Sequence, residues 1–146
     1  MRLLSLHFLL AAAIVTLAVS ASRVSAEPVP EAEAKKVRAV IETQLQAFAD
    51  DDAERAFAAN TPGVREAFGS AGHFLALVRG GYPMIVHPAS ISFMQPELHG
   101  NAVVQLAEIV DEQGKSWLAL FFLEQQPDES WRIAGCLVAE NKWRPA

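Results

Sequence analysis

A nine-residue stretch, GGYPMIVHP (80–88), carries the side chains best suited to chemistry in this chain. The ordinary pKa of histidine lies near neutral pH, so His87 could act as a general base or acid. Tyr82 could donate a hydrogen bond beside it. A plainer interpretation also fits, because Pro83 and Pro88 bias the residues before them towards extended backbone. The stretch would then be a stiff connection between a helix and a strand.

Two carboxylates on expected strands, Glu97 and Glu108, are further candidates for proton transfer. If either faced a cavity, burial would raise its pKa and suit it to acid–base work. On the solvated face of an edge strand the same residue would have no such role. We take Tyr82, His87 and Glu108 as the candidate cavity residues.

Motifs for common enzyme classes are absent from the sequence. No serine lies in a G-x-S-x-G frame, and no glycine pattern typical of phosphate or dinucleotide binding occurs. His73, His87 and His99 are too far apart to form a helical pair of zinc ligands. Asp50–Asp52 lacks the alternating ligands of a calcium loop, and Asp51 with Glu54 resembles a helix-capping pair instead. We therefore assign no catalytic residue, and we predict no metal and no cofactor.

The first 26 residues are typical of a secretory signal peptide. An apolar run, 3–19, follows Arg2, and Val24-Ser25-Ala26 fits the small-x-small cleavage pattern, with 19–21 as a second candidate. Cleavage after Ala26 would leave one domain, 27–146, exported to the periplasm and without a stable membrane anchor. An uncleaved anchor is the alternative, since the run is nearly the ~20 residues that span a bilayer.

The net charge of the chain disfavours some classes of binding partner. With the signal peptide removed, 10 basic residues face 17 acidic ones, a net charge of −7. The basic residues are scattered, so nucleic acid and anionic membrane surfaces are disfavoured as partners.

Cys136 is the single cysteine of the chain, so no internal disulfide can form, and its sequence neighbours are apolar. It is expected to be a buried small hydrophobe, with a reactive or dimer-forming thiol as the alternative.

The hydrophobic pattern changes period halfway along the chain. The first half predicts helices at 31–49, about 52–59, from Thr61-Pro62 to about Phe68, and 71–79 with Ser70 as its cap. The second half predicts strands near 90–94, at 102–110, 116–125 and 131–139, joined by short turns. Helices followed by an antiparallel meander indicate an α+β fold with the helices on one face of the sheet.

The strand around 117–123 is apolar on both faces. One face should meet the helices, and the other could meet a second subunit. Trp117, Phe121 and Phe122 are therefore candidate interface residues. On the last strand, the pattern places Trp131, Ile133 and Leu137 on one face.

Two segments resemble the bacterial family called domain of unknown function 4864: Q-x-x-A-F-x-x-D-D-x-x-x-A-F (44–57) and W-R-I-x-G-C (131–136). The resemblance covers nearly all of 37–139. It implies an NTF2-like, or cystatin-like, α+β cone, in which a strongly curved antiparallel sheet of four to five strands wraps around helices with a cavity at its wide end. It transfers no catalytic residue, and a fold of this kind does not fix a function.

Three functions stay open on this basis. The favoured one is an exported, non-catalytic module that binds a small apolar ligand or a protein partner. The second is an acid–base enzyme that uses Tyr82 and His87 in the cone cavity. The third is a structural protein, such as a homodimer, that uses the sheet face.

Overall fold

The computed structural model describes residues 26–143, so the predicted signal peptide lies outside the described part except for Ala26. The helices are α1 (Glu31–Ala49), α2 (Ala53–Ala58), α3 (Pro62–Phe68), α4 (Ala71–Gly81) and α5 (Pro83–Val86). The strands are β1 (Glu27–Pro28), β2 (Ser90–Phe93), β3 (Glu97–His99), β4 (Ala102–Val110), β5 (Ser116–Gln125) and β6 (Trp131–Glu140). No helix among these residues is long and apolar enough to cross a membrane.

Helix α1 has the bounds that its periodicity predicts. Its buried residues recur every three or four positions, so they share the face that packs on the sheet: Ala34, Val37, Ile41, Gln44, Leu45, Ala47 and Phe48. Glu33, in the first turn, accepts a hydrogen bond from Nε1 of Trp131 at 2.8 Å. The contact joins the start of α1 to the start of β6, 98 residues along the chain.

Side-chain caps divide the first half into short helices. Thr61 accepts from the amide of Val64 and Ser70 from that of His73, as predicted. The cap of α2 is Asp52 rather than the predicted Asp51, because Asp51 adopts a positive φ of 57° and its carboxylate pairs with Arg79. The prediction was therefore wrong by one residue.

The stretch GGYPMIVHP contains a helical turn that its prolines did not predict. The glycines do not end α4, which runs to Gly81, and Pro83 then starts the one-turn helix α5. Tyr82 and His87 each precede a proline and both leave the helical region, with ψ values of 54° and 68°. The stretch is thus a helix-to-strand connection with a turn of helix between its two candidate residues.

All strand pairs are antiparallel, and the order across the sheet is β1-β3-β4-β5-β6. Both β2 and β3 pair with β4: β3 pairs with the first part of β4 and β2 with its last part. The predicted α+β fold is confirmed, with six strands rather than four to five. The additional strand pair is β1 with β3, in which the leader residues Glu27 and Pro28 pair with the edge of β3. Gln105, fully buried, bridges the break between β2 and β3 by donating to the carbonyl of Met94 at 2.7 Å.

Burial alternates along β4 and β5 and so identifies the two faces of the sheet. Ala107, Ile109, Ala119, Phe121 and Leu123 are fully buried against the helices. Phe121 therefore belongs to the core, which corrects its prediction as an interface residue. The outer face is half-buried and, apart from Glu108, mostly apolar, and it carries Val104, Leu106, Val110, Leu118, Leu120 and Phe122.

Trp117 also lies on the helix side of β5 and packs against the edge of the core. Its Nε1 donates to Asp111 at 2.9 Å, and this bond is the main reason that the pKa of Asp111 lies below its ordinary value. The ammonium group of Lys115 sits 4.5 Å from the centre of the indole ring. The Trp117 side chain thus stabilises the β4–β5 turn, and the outer sheet face does not include it.

A β-bulge in β6 changes which side chains face the helices. Phe122 pairs with Gly135 and Leu123 pairs with Ile133, so Ala134 is one extra residue in β6. The extra residue shifts the alternation, and Leu137 points outwards with 63% of its surface exposed. The prediction that Leu137 shares a face with Trp131 and Ile133 was wrong for this reason.

The two adjacent phenylalanines of β5 test the assignment of the faces. We expect Phe121→Ala to lower the free energy of unfolding by about 3–5 kcal/mol, because it opens a cavity in the core. Phe122→Ala should cost less than half as much at low protein concentration. Urea denaturation followed by circular dichroism measures both values. Equal losses, or a larger loss for Phe122→Ala, would contradict the assignment.

Candidate functional site

A mostly apolar cavity lies between the helices and β6, with a volume of about 260 Å³. Its wall on the sheet side is the bulged part of β6. Its other walls come from α1, α3, α4 and α5. The lining residues are Gln44, Phe48, Asn60, Val64, Phe68, Phe74, Val78, Tyr82, Ile85, Ile133, Ala134, Gly135, Cys136 and Val138.

Helical spacing explains most of the helix side of the cavity. Each of three helices contributes residues four positions apart, which lie on one face: Gln44 and Phe48 from α1, Val64 and Phe68 from α3, and Phe74, Val78 and Tyr82 from α4 with its cap. The ring of Phe74 lies between those of Phe48 and Phe68, with centroids 5.8 and 5.1 Å away. These rings hold the three helices together beside the cavity.

Asn60 reaches the cavity from the link between α2 and α3, which is fixed to the edge of the sheet. The amide of Ile133 donates to the carbonyl of Ala59 at 2.8 Å, and the amide of Thr61 donates to the carbonyl of Ile133 at 2.9 Å. Asn60 therefore forms a parallel bridge with Ile133 at the strand edge. The two backbone bonds place its side chain inside, where the residue is only 2% exposed.

Two buried amide side chains, Gln44 and Asn60, form the polar end of the cavity. Nε2 of Gln44 donates to the carbonyl of Ala56 at 3.0 Å and to Oδ1 of Asn60 at 2.9 Å. A backbone carbonyl can only accept, so the nitrogen of Gln44 must face Ala56, and its second hydrogen requires an oxygen on Asn60. The contact therefore determines the orientation of both amides.

This arrangement leaves Nδ2 of Asn60 with no hydrogen-bond partner among the described residues. Such a buried donor costs about 1–3 kcal/mol when nothing accepts from it. Native proteins contain few such groups, and each one calls for an explanation. Here the unpaired donor belongs to a residue that lines a cavity.

The structure separates the three candidate cavity residues. Tyr82 lines the cavity and is 43% exposed, so it lies at the rim. His87 is exposed and lines two other surface depressions, both of which include Glu112. Glu108 lies on the outer face of the sheet, where its carboxylate accepts from Oγ of Ser116 at 2.9 Å. The predictions that place His87 and Glu108 in the cavity are thus corrected.

Cys136, on the β6 wall, is the one thiol at the cavity. Burial raises its pKa to about 12, so the thiol is protonated near neutral pH and not the reactive thiolate. Cys136 is partly buried and packs against the core, where a buried small hydrophobe was expected. Within residues 26–143, no three His, Cys, Asp or Glu side chains come together as a metal site would require.

Comparison with known families identifies the chain. The family model described as Domain of unknown function (DUF4864) matches residues 30–146. The protein belongs to this family. The match spans the whole described domain apart from its first four residues, so the cavity lies entirely within the family's region.

A solved structure is similar in outline to this member of the family. It is an NTF-2-like protein of unknown function from Silicibacter pomeroyi DSS-3, with 17% sequence identity, 77% of this chain and all of that chain covered, and a TM-score of 0.49. No curated protein matches the chain.

Sequence reasoning missed the polar end of the cavity. Gln44 falls inside the apolar stripe of α1, at the spacing of Ile41 and Phe48, and a polar residue in such a stripe signals a buried amide. Asn60 carries no comparable signal, since an asparagine before Thr61-Pro62 fits an ordinary loop. Its burial depends on the contact with Ile133, 73 positions away.

The raised pKa of Cys136 predicts slow labelling. At pH 8 a smaller fraction of the Cys136 thiol is ionised in the native protein than in the unfolded chain, because its pKa is raised to about 12. A disulfide reagent at pH 8 should therefore react at least ten times more slowly with the native protein than with the urea-unfolded chain. The native rate should keep rising with pH beyond 9, where an ordinary cysteine levels off. Labelling followed by absorbance measures this. A native rate equal to the unfolded rate would contradict the assignment.

Proposed function

We propose that this domain is a non-catalytic binding module that holds a small, mostly apolar molecule in the cavity between its helices and β6. The cavity itself carries the proposal, since its lining is mostly aliphatic and aromatic and two of its few polar side chains, those of Gln44 and Asn60, are in contact with each other. An apolar cavity of about 150 Å³ takes up benzene, so a volume of about 260 Å³ suits roughly ten non-hydrogen atoms. The ligand class is therefore a fragment-sized molecule.

The positions of the acid–base candidates favour binding over catalysis. Tyr82 is at the cavity rim, whereas His87 lines other depressions. Cys136 is in the wall, and its raised pKa disfavours a nucleophilic role. The described lining thus offers hydrogen bonds and apolar contacts, and it offers no group suited to general base catalysis at neutral pH.

Filling the cavity should abolish binding. Val138 lines the cavity, whereas its neighbour Leu137 points outwards from β6. We expect Val138→Phe to weaken the binding of acetophenone and indole at least tenfold, because the larger ring occupies the site. The control Leu137→Phe should bind as the parent protein does. Chemical-shift titration of the ¹⁵N-labelled protein measures both, and equal binding by the two variants would sink the proposal.

We also propose, on a separate observation, that the outer sheet face pairs with a second copy of this chain. Leu106, Leu120 and Leu137 lie in register across β4, β5 and β6, and Leu118 and Phe122 flank them. A two-fold contact uses one such patch twice and needs no second complementary surface. An apolar patch across three strands is the kind of surface that marks an interaction site.

Leu120→Glu tests this pairing. The parent protein should sediment as a dimer at high concentration, and Leu120→Glu should sediment as a monomer because a charge at the centre of the patch loses its hydration on pairing. Leu77→Glu, on an exposed position of α4, is the control and should stay dimeric. A monomeric parent protein at every concentration would refute the pairing.

A further inference from the structure

We infer that the ligand of the cavity is an amphiphile, with an apolar body inside the cavity and one oxygen-bearing end at the rim, and that the side chain of Tyr82 recognises this end. The oxygen is an acceptor of hydrogen bonds, such as that of a ketone, ester or ether. This inference rests on the proposed binding function and adds to it the chemistry and the orientation of the ligand.

Tyr82 is the point at which the lining of the cavity meets solvent. Among the lining residues Tyr82 is the exposed one, with 43% of its surface accessible, whereas Phe48, Phe74 and Ile133 are buried. A molecule that fills the cavity thus has one end beside an exposed side chain and the rest of its surface against apolar side chains.

The amide nitrogens of the lining side chains are closed to a ligand. Nε2 of Gln44 uses both of its hydrogens, on Ala56 and Asn60. Nδ2 of Asn60 is unpaired but sealed from solvent, so a ligand oxygen does not reach it. A polar group carried into the cavity would therefore lose its hydration without gaining a strong donor. The polar end of a ligand is favoured at the rim instead.

The hydroxyl group of Tyr82 is available to such an end. Within residues 26–143 it makes no hydrogen bond with another residue. The backbone of Tyr82 is fixed, because its amide donates to the carbonyl of Val78 at 2.7 Å and its carbonyl accepts from the amide of Ile85 at 3.1 Å. A phenol on a fixed backbone can hold one oxygen of a ligand at the rim, and this contact determines which end of the ligand enters the cavity.

Two ketones of identical composition test the orientation. Heptyl methyl ketone carries its carbonyl near one end, and dibutyl ketone carries it in the middle. With the carbonyl at the rim, the first ketone buries its long chain in the cavity, whereas the second leaves one butyl arm in water. We expect heptyl methyl ketone to bind the purified protein at least tenfold more tightly than dibutyl ketone, as measured by isothermal titration.

Tyr82→Phe tests the hydrogen bond, because it removes the hydroxyl group and keeps the ring. It should weaken the binding of heptyl methyl ketone about three- to tenfold, as the loss of one net hydrogen bond implies. Butylbenzene has no acceptor oxygen, so it should bind this variant within about twofold of the parent protein. His87→Ala is the control, since His87 lines other depressions, and it should bind both molecules as the parent protein does.

The orientation is also directly observable, because Tyr82 is the only tyrosine of the chain. In protein labelled at tyrosine and isoleucine, nuclear Overhauser effects should connect the Tyr82 ring with the acetyl methyl group of heptyl methyl ketone. The far end of the alkyl chain should contact the methyl groups of Ile133, which is buried in the lining. The reverse pattern would overturn the inference.

The outcomes distinguish this inference from the proposed function. Equal binding of the two ketones, or an unchanged affinity of Tyr82→Phe for heptyl methyl ketone, overturns the role of Tyr82. Cavity binding still stands in that case if Val138→Phe weakens the binding of both ketones. If neither ketone nor butylbenzene binds the parent protein, or if all three bind Val138→Phe equally well, the binding function itself is refuted.

Discussion

Two backbone hydrogen bonds at Ile133 hold the helical layer against the open edge of the sheet. The link between α2 and α3 occupies the edge of β6, accepting from the amide of Ile133 and donating to its carbonyl. An edge strand presents unpaired backbone groups, and the link pairs those of Ile133. The same contact places Asn60 at the edge of β6, just before α3, which packs beside α4 and β6. The walls of the cavity depend on it.

The bulge at Ala134 completes the cavity from the sheet side. It lets Ile133 and Cys136, which are three positions apart, both line the cavity. The residues at the bulge are small, with Ala134, Gly135 and Cys136 in sequence, while phenylalanine rings stand opposite on the helices. Small side chains on the strand and large ones on the helices leave space between the layers. The space is bounded by helices on one side and by β6 on the other.

Local rules predicted the helices well and the sheet faces less well. The periodicity and caps of α1, α3 and α4 depend on residues within one or two turns, and the sequence shows them directly. Which face of β5 meets the helices depends on the alternation in both neighbours, so Phe121 could not be distinguished from Phe122 beforehand. The bulge reversed the expected side of Leu137, because one extra residue exchanges the faces.

The candidate site was predictable only in part, for the same reason. Tyr82 lies at the rim of the cavity, because it follows Phe74 and Val78 at helical spacing. His87 was grouped with it by proximity in sequence, but the turn of α5 directs the two residues to different surfaces. Asn60 was missed because its environment is made by a strand more than 70 positions away. Chemistry that arises from long-range contacts is not visible in a local pattern.

Intermolecular nuclear Overhauser effects between the protein and indole test whether the cavity is the binding site. We expect contacts from indole to the methyl groups of Val64, Val78 and Val138, which surround the cavity on three elements. No contacts are expected to Leu118 and Leu120 on the outer sheet face. Contacts confined to the outer face, or no contacts at saturating indole, would contradict the assignment of the cavity as the binding site.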